Sequence, residues 1–216
     1  MPYYLAKAPY WITRFGEIGI VLPLAIVLAV WMVASTRSLR PVLGWLVPLG
    51  LAIAVTTASK IAFIGWGMGI AALDFTGFSG HAMFSAAIYP VLAYTLTAHA
   101  RNERTVRLAV IGGYALALLI AWSRVHIQVH SWSEVVAGFV LGGSASAWTI
   151  WRSQYTHHGM PGRWALLPVV GWLSVMPLHA APSRSHDIVT RLALELAAHD
   201  TPFRRADMHK AVEKTP

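Results

Sequence analysis

Six stretches of the chain, 17–35, 42–59, 82–98, 108–122, 135–151 and 164–182, are almost free of charge. Each is about 15–20 residues long, close to what a helix needs to cross a hydrocarbon core. Such runs leave few ways to fold. In lipid every backbone polar group must be satisfied within the protein, so only helices and closed barrels span it. The runs lack the two-residue alternation of barrel strands. They predict an all-α integral membrane protein, a bundle of about six transmembrane helices. Composition agrees, since hydrophobic residues make up 56% and charged ones 12%, too few charges to cover a soluble domain of this length. Mean hydropathy is +0.54. Pro168 and Pro177 interrupt the last run, which is the weakest of the spans. The first run is long for a signal peptide and has no clear small-residue cleavage site after it, so it reads as a retained span.

The chain divides into a transmembrane domain, 1–182, and an amphipathic and basic tail, 183–216. Residues 1–16 are aromatic and weakly basic, which suits a segment lying at the membrane interface. The link 61–80 is too apolar for a solvated loop and too glycine-rich for a good helix, and is expected to fold back on the bundle. In the tail, 187–199 is amphipathic, with Ile188, Leu192 and Leu196 on one face. The formal net charge is +8 and there is no cysteine, hence no disulfide framework and no thiolate metal site. The basic residues sit in short loops and the tail rather than in a stripe interleaved with exposed aromatics, which argues against a nucleic-acid partner.

In a membrane protein, loop arginines report topology. The first, third and fifth links carry Arg37 and Arg40, then Arg101, Arg104 and Arg107, then Arg152 and Arg163. The second and fourth carry only Lys60, read as closing the second span, and Arg124. The first set is expected in the cytoplasm and the second outside it, across a bacterial-type inner membrane. Six spans then put both termini outside, against which the basic tail (Arg184, Arg191, Arg204, Arg205) argues; the short loops weigh more.

The chemistry gathers in the arginine-poor links. Phe78-Ser79-Gly80-His81 opens the third span, and Ser123-Arg124, His126, His130 and Glu134 lead into the fifth. Ser79 and Gly80 before a helix present free N–H groups and the positive end of the helix dipole, which suit a phosphate. Lys60 and Arg124 add fixed positive charge, Arg124 in a planar fork that can hold two oxygens. One histidine can attack phosphorus while another protonates the departing oxygen. A carboxylate beside the attacking imidazole fixes its tautomer and stabilises its charge after attack. This set requires no metal or other cofactor.

Lys60, Phe78-Ser79-Gly80-His81, and Ser123-Arg124 with His130 and Glu134 following at fixed spacing together resemble the signature of the type 2 phosphatidic acid phosphatase superfamily, over roughly 59–140. The resemblance implies a membrane lipid phosphatase with a lipid phosphate or pyrophosphate as its partner. It implies that His130 is the nucleophile forming a phosphohistidine and His81 the general acid. It also implies that Lys60, Ser79, Gly80 and Arg124 hold the phosphate. Three positions depart from the pattern. Gly67-Met68 stands where the family has Arg-Pro, Phe78 replaces a proline, and Glu134 replaces an aspartate and is one methylene longer.

Other readings of the same residues stay open. Lys60 can snorkel to the headgroups, and Ser79 can be a helix N-cap. Ser131 and Glu134 form a capping-box pattern. His126 reads as an interfacial polar residue and Asp74 as a solvated turn residue. The spacing of His126, His130 and Glu134 would offer three metal ligands on one helix face, as in a metal-dependent hydrolase or ion transporter. The absent Arg-Pro admits a catalytically inactive lipid-phosphate-binding relative.

Overall fold

The computed structural model describes residues 3–98, 100, 102–153, 163–179 and 185–213; the side chains of 3–7, 163–166 and 211–213 fall outside that description. Arg101, Arg184, most of the fifth link and the boundary drawn at 182 also lie outside it.

Helix α1 is Tyr3–Arg14, and α2 (Ile18–Thr36), α3 (Arg40–Trp66), α4 (Gly80–Thr97), α5 (Glu103–His126), α6 (Trp132–Arg152) and α7 (Arg163–His179) follow the six apolar runs in order. The tail forms α8 (Ser185–Ala197) and α9 (Arg205–Glu213). Among the described residues the extended pairing is confined to one bridge, Ile70 with Phe75. The protein is an all-α membrane protein. By length and composition, Ala8–Thr36, Arg40–Trp66 and Glu103–His126 are each sufficient to cross a bilayer. Their outward faces carry exposed apolar side chains such as Leu22, Ile26, Val47, Leu51, Ile111 and Leu118, the reverse of a soluble protein and the pattern lipid requires.

Helix α4 lies in the middle, packed chiefly on α5 and α6 and also on α2. Lipid tails are as apolar as leucine, so helices associate in a membrane through close packing more than through burial of apolar area. Small residues let this happen. A methyl at Gly142 of α6 would collide with the Met83 carbonyl, and one at Gly113 of α5 would come within 2.8 Å of the Tyr89 carbonyl oxygen. Trp45 of α3 is fully buried and donates from Nε1 to the Ala87 carbonyl at 3.1 Å. The Tyr89 hydroxyl donates to the Phe15 carbonyl at 2.6 Å, tying the end of α1 to the bundle.

One element differs from the sequence expectation. Helix α3 runs on to Trp66, so Lys60 sits inside it rather than closing it. Gly65 is tolerated because α8 lies against it, its Ala193 carbonyl and Ala197 methyl each 3.1 Å from where a Cβ would be. Gly67 then ends the helix in the left-handed conformation, φ 67°, that glycine adopts without strain. The amphipathic stretch of the tail is helical. Helix α8 buries Ala193, with Val189 packed beside Phe63 and Ile64, and leaves Ile188, Leu192 and Leu196 facing out. Of the apolar face read from the sequence, Ile188 borders the cavity described below and Leu192 and Leu196 stay exposed. Helix α7 brings the chain to this end, since Trp172 donates to the Ile20 carbonyl near the start of α2 at 3.0 Å.

Candidate active site

The end of α3, the start of α4, the end of α5, the start of α6, the α1–α2 junction and the tail surround one open cavity of about 980 Å³. Lys60, Gly80, His81, Arg124 and His130 all line it. Ser79 and Glu134 are fully buried behind that wall. The structure therefore brings together all seven residues singled out in the sequence, five on the surface of the cavity and two supporting them.

Ser79 stands at the N-cap of α4 with extended backbone, but its hydroxyl does not cap the helix. Its N–H donates to the Glu134 carbonyl at 3.0 Å, which pins the start of α4 to α6. Gly138 of α6 permits this, because a side chain there would strike the Ser79 carbonyl. The Ser79 Oγ is buried without a partner among the described residues and lies behind the cavity wall rather than on it. Gly80 opens α4 with Lys60 Nζ 3.7 Å from where its Cβ would be, so the ammonium lies over the helix N-terminus. A helix dipole and a cation at one point form a positive site of the kind that can hold an anion such as phosphate.

His81 Nε2 is likewise buried and unpartnered. Gly16 at the α1–α2 junction passes against the ring, 3.0 Å from Cδ2 to its would-be Cβ, and holds it toward the cavity. Arg124 donates from Nη1 to Thr13 Oγ1 at 2.9 Å, while its buried Nε has no acceptor. Thr13, on α1, is a supporting residue that the sequence did not signal.

Glu134 does two things at once. It completes a capping box with Ser131, whose N–H donates to Oε2 at 3.2 Å. The same Oε2 lies 2.7 Å from His130 Nδ1. Cap and histidine partner are therefore one structure, because a helix that starts beside the histidine must aim its N3 carboxylate back at it. The longer side chain of glutamate reaches the imidazole. With Nδ1 engaged, Nε2 is the free nitrogen of His130. Burial holds this imidazole below the ordinary histidine range. Glu134 opposes that, while the charges of Lys60 and Arg124 add to it. A neutral ring with one nitrogen anchored is the form a nucleophile needs.

The metal arrangement loses its geometric basis. Helix α5 ends at His126 and α6 begins at Trp132, with Gln128 at φ 58° turning the chain between them, so the three candidate ligands do not share a helix. His126 is exposed and stacks on Trp122, ring centroids 5.0 Å apart. Asp74 does occupy a turn, with φ 48°, but it is paired with Arg205 and His209 of the tail. Thr76 and Arg205 join Glu134 from outside the motifs. Sequence offered only the charge of Arg205, since contacts across 71 positions carry no local pattern.

Residues 54–158 match the PAP2 superfamily. A Klebsiella pneumoniae protein described as an uncharacterized 22.5 kDa protein in the cps region is 35% identical over 204 residues, covering 92% of this chain and 96% of that one. Phosphatidylglycerophosphatase B of Bacillus subtilis (strain 168) is 40% identical over 68 residues, 30% of this chain and 32% of that protein. No solved structure matches. The matched region runs from α3 through α6 and contains the cationic, hydroxyl and histidine positions of the cavity, and relatedness extends over nearly the whole chain. This chain belongs to the PAP2 superfamily.

Proposed function

We propose that the protein is a metal-independent phosphatase that hydrolyses lipid phosphates through a phosphohistidine on His130. The observation that carries the reading is the cavity lined together by His81, Lys60, Arg124 and a His130 whose Nδ1 is anchored on the Glu134 carboxylate. Family membership and the similarity to a phosphatidylglycerophosphatase support a phosphatase. The cavity also has an apolar side, formed by Ile53, Phe63, Phe84 and Val189, which suits an acyl or prenyl chain entering between α3 and α8.

The phosphate binds with its oxygens on the Gly80 and His81 amides, Lys60 and Arg124, with Ser79 behind them holding the start of α4 in place. His130 Nε2 attacks phosphorus, forming the P–N bond as the P–O bond to the lipid breaks. His81 gives its proton to the leaving oxygen. The Nδ1 proton stays on the Glu134 side, and the carboxylate stabilises the charged ring. In the second half a water attacks phosphorus and passes its proton to His81. The P–N bond then breaks, and inorganic phosphate and the starting His130 are restored. Purified protein assayed against phosphatidic acid, phosphatidylglycerol phosphate and undecaprenyl pyrophosphate is expected to keep its activity in EDTA. Vanadate, which mimics five-coordinate phosphorus, is expected to inhibit it. Activity lost in EDTA and restored by zinc or magnesium would contradict the mechanism.

The arginine distribution supports placing the cavity on the extracytoplasmic face of a bacterial inner membrane. A cysteine at Gln128, which is exposed beside the cavity, is then expected to react with an impermeant thiol reagent in whole cells. Labelling of a cysteine at exposed Asn102 in its place would invert the orientation.

A further inference from the structure

Glu134 is fully buried, and its carboxylate is crowded with donors. Oε2 takes His130 Nδ1 at 2.7 Å and the Ser131 N–H at 3.2 Å. Oε1 takes the Thr76 N–H at 2.7 Å, the Thr76 hydroxyl, and Arg205 Nη2 at 2.8 Å. Among the described residues Arg205 is the permanently charged group in contact with this carboxylate. It comes from α9, the last helix of the tail, and is held there from the other side. Its Nη1 bonds the Asp74 carboxylate and, at 3.1 Å, the Asp74 carbonyl. Asp74 in turn accepts from or pairs with His209 Nε2 at 2.8 Å, and Phe203 N–H donates to the Ile64 carbonyl at 3.0 Å to seat the approach.

We infer that Arg205 is a positioning residue of the active site, acting on His130 through Glu134, and that the C-terminal tail is thereby part of the catalytic apparatus. The inference rests on the phosphatase reading for its effect on turnover but on geometry for its coupling. A buried carboxylate without a fixed counter-charge is costly and draws a proton onto its neighbour. Left with His130 alone, Glu134 would favour the imidazolium, which cannot attack phosphorus. Arg205 supplies a permanent positive charge, so Glu134 stays ionised while His130 stays neutral.

Donor counting separates this role from phosphate binding. The two terminal nitrogens carry four N–H groups, and these face two oxygens of Asp74, Thr76 Oγ1 and Glu134 Oε1. The fork that would grip a phosphate is occupied by protein.

The charged groups around His130 are Lys60 of α3, His81 of α4, Arg124 of α5 and Glu134 of α6, with Arg205, itself on the cavity wall, bridging Glu134 and Asp74. Removing Arg205 takes away the permanently charged group in contact with Glu134, so the carboxylate pulls harder on His130 while Lys60 and Arg124 still oppose it. In Arg205→Ala, kcat is expected to fall about ten- to hundredfold, the range of one charge-assisted hydrogen bond, with KM little changed. The acid limb of kcat/KM and the NMR titration of the His130 imidazole should both move to higher pH. Arg205→Lys, which keeps the charge and loses the fork, should restore the position of the limb while kcat stays below wild type. If Arg205→Ala does not fold, as judged by thermal unfolding in detergent, Arg205→Lys carries the test, and wild-type kcat in that variant overturns the inference. So does an Arg205→Ala protein with unchanged limb and titration, or one whose whole defect lies in KM. A wild-type protein inactive on every lipid phosphate would count against the phosphatase reading instead, while the His130 titration would still decide the coupling.

Discussion

Replacing His130 by alanine is expected to abolish turnover and any covalently phosphorylated enzyme, on every substrate. No other side chain on the cavity wall duplicates its position. His81 lies in the same cavity but its Nε2 has no carboxylate partner among the described residues, and it packs against Gly16 rather than beside an anchoring group. A nucleophile cannot be bypassed by a better leaving group, since the bond it forms is the one the reaction needs. Glu134→Gln is expected to be less severe, because the amide keeps much of the geometry and loses the stabilisation of the charged ring. Both variants are checked by steady-state hydrolysis beside acid-free gels of phosphorylated protein.

His81→Ala should behave differently, and the difference depends on the leaving group. A lipid alkoxide is a poor leaving group, and its developing charge must be neutralised by a proton. General acid catalysis typically contributes about 10²–10⁴-fold, and that factor should disappear from kcat with a lipid phosphate. With a nitrophenyl phosphate, whose leaving oxygen is stable as an anion, most of the loss should be recovered. The measurement is the ratio of His81→Ala to wild-type kcat on the two substrates. A ratio that does not change with leaving group removes His81 from the proton-donor role.

Much of this was legible in the chain. Lipid demands helices, and helices in lipid demand long apolar runs, so the positions of α2 to α7 follow from where charge is absent. Apart from Lys60, which lies inside α3, the candidate site residues were legible because they sit at or beside helix ends, where polar groups have a local reason to be. What escaped was set by contacts distant in sequence. The reach of α3 to Trp66 depends on α8 covering Gly65. The burial of Ser79 against α6 depends on its N–H reaching the Glu134 carbonyl. Glu134 could be read as a cap or as a histidine partner, and only the direction in which α6 leaves the turn makes it both. Arg205 and Asp74 are ordinary surface charges in the sequence, and nothing local announces that they meet.

The central claim is the covalent intermediate on His130. It is tested most directly by rapid mixing with a ³²P-labelled lipid phosphate, quenching in alkali, and mapping the labelled peptide. The account predicts label on His130 that is stable in alkali and lost in acid, appears before free phosphate, and is absent from His130→Ala. Burst-phase turnover with no labelled protein, or label on any other residue, would contradict it.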